Sequence, residues 1–297
     1  MSRLNPGGSQ AMLLIVGALI VVISVFGGYM ASEGHLAVLW QPFEAVMIVG
    51  AAIGAFVIAN PKTVLKHAGK AIGVAMKGSR YSKASYLELL SLLYTTFKLA
   101  KSKGMLALEQ HVENPQESTL FQQFPNVFKD PTILIFLCDY LRLMTLGTEN
   151  AHEVEALLDE EIETHHKEHE LIASAFQTMA DGLPALGIVA AVLGVIKTMG
   201  SITEPPEVLG HLIGGALVGT FLGVFLAYGF VAPIATALKN TFEAEVKFLQ
   251  CIKAGLLAHM QGYAPTVSVE FARKALLSDV RPTFYEVEEA TNNVQAV

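Results

Sequence analysis

From Val208 to Leu238 the chain carries no Asp, Glu, Lys or Arg. A helix rising 1.5 Å per residue needs roughly 20 apolar residues to cross a hydrocarbon core of about 30 Å. This run is longer than that, so it tilts or projects past the bilayer. Three further windows resemble it. Gln10–Ser32 has no charge, and its body Met12–Met30 is long enough to span. Leu36–Ala59 carries only Glu44, and Leu171–Ile196 only Asp181. Charged residues make up 16% of the chain, against about 25% in soluble domains. With a net charge of −7 and no basic run, disorder and nucleic-acid binding are disfavoured. Cys138 and Cys251 offer neither a disulfide framework nor a thiolate pair at metal spacing, and read as buried thiols. The expectation is an all-α membrane protein with four transmembrane helices.

The first window is too long for the apolar region of a signal peptide, and only the short link Ala31–His35 separates it from the second. Residues 11–59 therefore read as a membrane hairpin behind a cytoplasmic leader, residues 1–10, that contains Pro6, Gly7 and Gly8. The links Ala31–His35 and Ser201–Glu207 lack Lys and Arg, whereas Asn60–Glu170 holds twelve and Lys239–Val297 six. Positive residues are retained on the cytoplasmic side. This places residues 60–170 and the tail, 239–297, in the cytoplasm with both termini, and leaves 171–238 as the second pair of spans.

Residues 60–170 read as helices separated by breakers. Ser82–Lys103 sets Leu87, Leu90, Tyr94 and Phe97 near one face, with Gly104 as the C-cap. A short helix from Met105 stops before Pro115. Another runs from Pro131 to Gly147. The last begins near Asn150, with Glu153 completing a capping box. Lys239–Met260 continues the fourth span as a helix, broken by Gly262-Tyr263-Ala264-Pro265. No phosphate loop, zinc-protease, serine-hydrolase or C-x-x-C motif occurs, so the chain reads as a non-enzyme. Glu161, His165 and His169 share one helix face at metal-ligand spacing. A solvated polar face is the commoner reading, and no metal or cofactor is expected.

Inside the membrane, Glu44 follows Trp40-Gln41-Pro42 and reads as an interfacial carboxylate, while Asp181 and Lys197 lie near span ends. Pro184 and Pro233 each remove a backbone donor. On the assigned topology both fall near the cytoplasmic ends of spans 3 and 4, either as tolerated kinks or as hinges beside a helix-lined path. Gly215, Gly219 and Gly223 form successive G-x-x-x-G pairs, which suggests packing between subunits as well as within one.

On these residues the chain resembles the A subunit of the flagellar motor stator, the MotA/PomA family. The likeness runs from about Met12 to Glu289. It is carried by Val25-Phe26-Gly27-Gly28-Tyr29, Gln41-Pro42, Leu158-Asp159-Glu160-Glu161-Ile162-Glu163-Thr164, Leu183-Pro184-Ala185-Leu186-Gly187-Ile188-Val189-Ala190-Ala191-Val192, Val218-Gly219-Thr220-Phe221-Leu222-Gly223 and Tyr263-Ala264-Pro265. The resemblance implies a ring of A subunits, a pentamer, around a dimer of single-span, peptidoglycan-anchored B subunits in the inner membrane. The B subunit supplies the ion-carrying aspartate, and ion flow drives the flagellar rotor switch protein through the cytoplasmic domain. It places the rotor-facing charges at Lys101, where many members have arginine, and Glu109, and the functional prolines at Pro184 and Pro233. The related ExbB/TolQ energisers are the alternative, but they have one span before the cytoplasmic segment where this chain has two.

The translocated ion is expected to be H⁺. Sodium needs several well-placed oxygens in exchange for its hydration shell. The only hydroxyl in the middle of span 3 or 4 is Thr220, and sodium-driven relatives have a second threonine where this sequence has Ala191. Thr220 can alternatively bond back to its own helix.

Overall fold

The computed structural model describes residues 6–148 and 150–294, and every described element is helical. The all-α expectation holds, with four helices long and apolar enough to span: Gln10–Ala31, Leu36–Ala59, Ala151–Met199 and Pro206–Met260. The chain forms two compact units, Met1–Gly78 with Glu168–Thr241 and Ser79–Lys167 with Phe242–Val297.

In the first unit, helix starts at Pro6, inside the stretch expected to be a leader. Proline's fixed φ suits a first helical turn, so Pro6 begins the helix rather than blocking it; residues 1–5 lie outside the described residues. The second span opens with Pro42 in its first turn and Glu44 just behind it, where a carboxylate complements the helix dipole. Ile48 and Ala52 of this span pack on Leu183 and Ala190 of the third and Ala227 of the fourth.

The third and fourth spans meet backbone to backbone. A Cβ at Gly187 would lie 2.8 Å from the carbonyl oxygen of Gly219, and one at Gly223 would lie 2.6 Å from that of Leu183. Gly215 accommodates the side chain of Gln41, whose Nε2 would be 2.9 Å from an added Cβ. All three glycines of the repeated G-x-x-x-G thus pack within the chain, as the expectation had it for contacts inside one subunit. The apolar side chains left exposed are others, including Ile188, Val192, Ile196, Leu217 and Val224.

Two spans contain a π-helical turn, Ile23–Gly27 in the first and Ala227–Val231 in the fourth. Phe26 in the first turn meets Phe225, just before the second, edge-on with ring centroids 5.4 Å apart, and Phe225 meets Phe230 at 5.3 Å. A Cβ on Gly229 would reach Val21 Cγ1 at 3.2 Å.

The second unit is built around the helix Lys83–Lys103. Ser82 caps it through a box with Ser85, and Gly104, at φ 87°, ends it. The one-face expectation understates its burial. Leu89, Leu90, Leu92, Leu93, Phe97, Leu99 and Ala100 are all buried, because the helices Pro131–Thr145, Pro265–Lys274 and Ala232–Met260 share the same core. Leu87 and Tyr94 sit at its edge. Near Asn150 the start of the long helix differs from a capping box. Asn150 Oδ1 accepts from the His152 N–H, while its Nδ2 donates to the Glu153 side chain. Cys138 and Cys251 are buried free thiols; burial pushes Cys138 up to about 12, and Cys251 Sγ donates to the Ala272 carbonyl.

Candidate ion path and rotor-facing surface

Pro184 and Pro233 are accommodated in different ways. Pro184 lies inside the unbroken helix Ala151–Met199, so the carbonyl of Ala180 loses its helical donor. Pro233 follows the π-turn Ala227–Val231, where the Ala232 N–H reaches back five residues to the Ala227 carbonyl. A wider turn relieves the clash of the proline ring with the backbone before it. The pair is therefore not two equal kinks.

Ala191 and Thr220 lie on the touching faces of spans 3 and 4. A Cβ on Gly219 would be 3.0 Å from the Ala191 nitrogen, and one on Gly187 would be 3.3 Å from the Thr220 Cα. Both side chains are partly exposed. Neighbouring threonines bond back along their helices: Thr198 Oγ1 to Gly194 O at 2.9 Å, Thr236 to Ala232 O at 3.1 Å, and Thr241 to Ala237 O at 2.8 Å. Among the described residues Thr220 makes no such bond, so the self-bonded alternative is not the one adopted. Its hydroxyl keeps donor and acceptor capacity for another group. The nearest acid in sequence on the third span, Asp181, accepts from Gln177 Nε2 at 2.8 Å and is exposed.

In the second unit, Lys101 lies in the last turn of Lys83–Lys103, and Glu109 opens the helix Glu109–Glu113 after the 3₁₀ turn Met105–Leu108. Both are exposed, and Leu106 between them is 74% exposed. A bare leucine between two opposite charges was not legible beforehand; the turn that presents it follows from Gly104, whose positive φ reverses the chain. Two histidines lie nearby. His259 stacks on Phe97 with centroids 4.4 Å apart, and burial together with Lys101 lowers its pKa. His111 is buried with Nδ1 2.9 Å from Ser118 Oγ, and burial and Lys103 lower its pKa.

Of Glu161, His165 and His169, the first two are paired with side chains of other helices. Glu161 accepts from the Tyr140 hydroxyl at 2.6 Å, and His165 Nε2 lies 2.8 Å from Glu245 Oε1.

Residues 15–104 match the family described as motility protein A N-terminal, and residues 134–250 match the MotA/TolQ/ExbB proton channel family. The motility protein A of Salmonella typhimurium is 46% identical over 96% of both chains. Among solved structures, the flagellar MotAB stator complex from Bacillus subtilis matches with a TM-score of 0.71 at 27% identity, covering 89% of this chain and 94% of that one. The structure of C. jejuni MotAB shares the fold with a TM-score of 0.76 at 21% identity, covering 90% and 96%. With two spans ahead of the helical domain and both family segments in order, the chain belongs to the motility protein A family, the flagellar stator branch of these proton channels.

Proposed function

We propose how this stator subunit, a multi-pass protein of the inner membrane, divides its work. Spans 3 and 4 line an ion path whose carboxylate comes from a B-subunit partner, and the surface around Lys101 and Glu109 delivers the motion to the rotor switch protein. The carrying observation is a deficit. The faces that meet at Gly187, Gly219 and Gly223 offer one uncommitted hydroxyl, Thr220, and no carboxylate between Val208 and Leu238. An ion path needs an ionisable group in the membrane. The one carboxylate of span 3, Asp181, lies near its cytoplasmic end and is bonded to Gln177, so the group is assigned to a second chain.

The ion is H⁺ in this reading. A proton requires a carboxylate and a hydroxyl or water route, whereas sodium requires several oxygens, and Ala191 removes one. Both termini lie in the cytoplasm, and the ring is a pentamer of A subunits around a B dimer. Conversion of ion flow to rotation breaks no covalent bond, so no catalytic residue is assigned. The ExbB/TolQ alternative is disfavoured by the two spans that precede the helical domain.

The test is complementation of a stator-deleted swimming strain, with the partner co-expressed. Swimming should persist in sodium-free buffer with the proton-motive force intact. Collapse there, with recovery on adding sodium, overturns the proton assignment. Ion conductance from this chain alone overturns the two-subunit path.

A further inference from the structure

We infer that the chain holds an anionic glycerophospholipid of the surrounding bilayer, with its acyl chain in a groove between the first and fourth spans and its phosphate on a lysine row of the helix Lys62–Lys77. At about 100° per residue, Lys62, Lys66, Lys70 and Lys77 fall within an arc of about 80° on this helix. All four are exposed, none has an ion pair among the described residues, and no Asp or Glu occurs from Asn60 to Leu87. Like charges four residues apart destabilise a helix unless an anion lies against them. The opposite face, Val64, Ala71 and Ala75, is buried.

Between the lysine arc and the buried face lies an apolar flank. Ile72 and Met76 are 45% and 43% exposed, and they form one wall of a groove of about 340 Å³. Leu14, Ala18 and Val21 of the first span and Ile234 of the fourth line the rest. Gly17 leaves the groove open, since a Cβ there would meet nothing within 4 Å. An apolar trough beside a row of unpaired cations is the complement of a lipid: hydrocarbon below, anionic head group above. A zwitterionic lipid suits the groove but not the lysines. A protein helix would need carboxylates placed against them.

The experiment uses the full chain with its B-subunit partner in phosphatidylcholine nanodiscs. These are doped with phosphatidylglycerol or with phosphatidylcholine carrying a diazirine on the acyl chain, and the labelled peptides are mapped. Labelling of Leu13–Val21 and Ile72–Met76 should favour phosphatidylglycerol by on the order of tenfold. The triple variant Lys66→Gln, Lys70→Gln, Lys77→Gln should abolish that preference without loss of the assembled complex. Gly17→Leu, which fills open space, should reduce labelling by both lipids. Equal labelling by the two lipids in the wild-type chain overturns the inference. So does a preference that survives the triple variant, or a photoreactive residue at Met76 that cross-links to a protein chain instead of lipid.

Discussion

Gly187 and Gly219 touch through their backbones: a Cβ on Gly187 would lie 2.8 Å from the Gly219 carbonyl oxygen. A backbone oxygen inside a helix cannot swing aside as a flexible side chain can. Gly187→Ala should therefore push spans 3 and 4 apart, at a cost of about 1–3 kcal/mol. We expect a clear loss of swimming and a lower thermal midpoint of the purified complex. Gly50→Ala, where a Cβ would meet nothing within 4 Å, is the control and should leave both unchanged.

Reversal of the charges proposed to face the rotor, Lys101→Glu with Glu109→Lys, should cripple swimming while assembly and ion conductance persist. Single neutralisations should be mild, because exposed ion pairs contribute only about 0–1 kcal/mol each. Normal swimming speed in the double reversal removes these residues from the contact. Leu106→Ser, on the exposed turn between them, should weaken torque without altering stability.

Replacing each proline should slow hydrogen exchange, at a different place in each case. Pro184→Ala adds a donor inside an unbroken helix and should slow exchange around Ala180–Pro184. Pro233→Ala removes the reason for the wider turn and should slow exchange around Ala227–Val231. Stators of both kinds should assemble and produce little motion; full motility in both would reduce them to tolerated irregularities.

Acid should loosen the second unit. His111 and His259 have folded pKa values below their usual 6.5, so the unfolded chain takes up protons first as pH falls. Their contribution is complete above the unfolded pKa and is lost as pH drops through the folded one. The thermal midpoint of the complex should fall between pH 7.5 and 5. His259→Gln should flatten the slope, and a slope identical to wild type would exclude His259 as a source.

Thr220→Val keeps the shape of the side chain and deletes the hydroxyl. It should reduce proton conductance of the stator complex without changing its melting temperature, because no hydrogen bond within the chain is lost. Unchanged conductance would return Thr220 to a packing role.

The four spans were legible because windows as long as Leu36–Ala59 with a single charge have no soluble alternative. The helices of the cytoplasmic segment were legible at their ends, where Ser82, Gly104, Pro131 and Gly147 act locally. Burial was less so: Leu92 and Leu99 read as off-face residues until helices distant in sequence close over them. The choice of Lys101 and Glu109 came only from resemblance, since nothing local separates Lys101 from Lys98 or Lys103. The unbonded state of Thr220 and the use of all three motif glycines inside one chain depend on how the spans meet, which periodicity does not encode. The π-turns were equally hidden, although Pro233 just behind one of them is a usable signal.

The turn at Ala227–Val231 also governs how residues may be compared across relatives. A π-turn is one residue inserted into a helix without a loop to hold it, so everything after Val231 is displaced by about 1.5 Å and about 100° relative to an uninterrupted helix. Two aligned chains whose windings differ at this point present different faces from the same column of an alignment. Correspondences through Pro233 and the helix Ala232–Met260 need their own register, set by a one-residue gap placed in the turn.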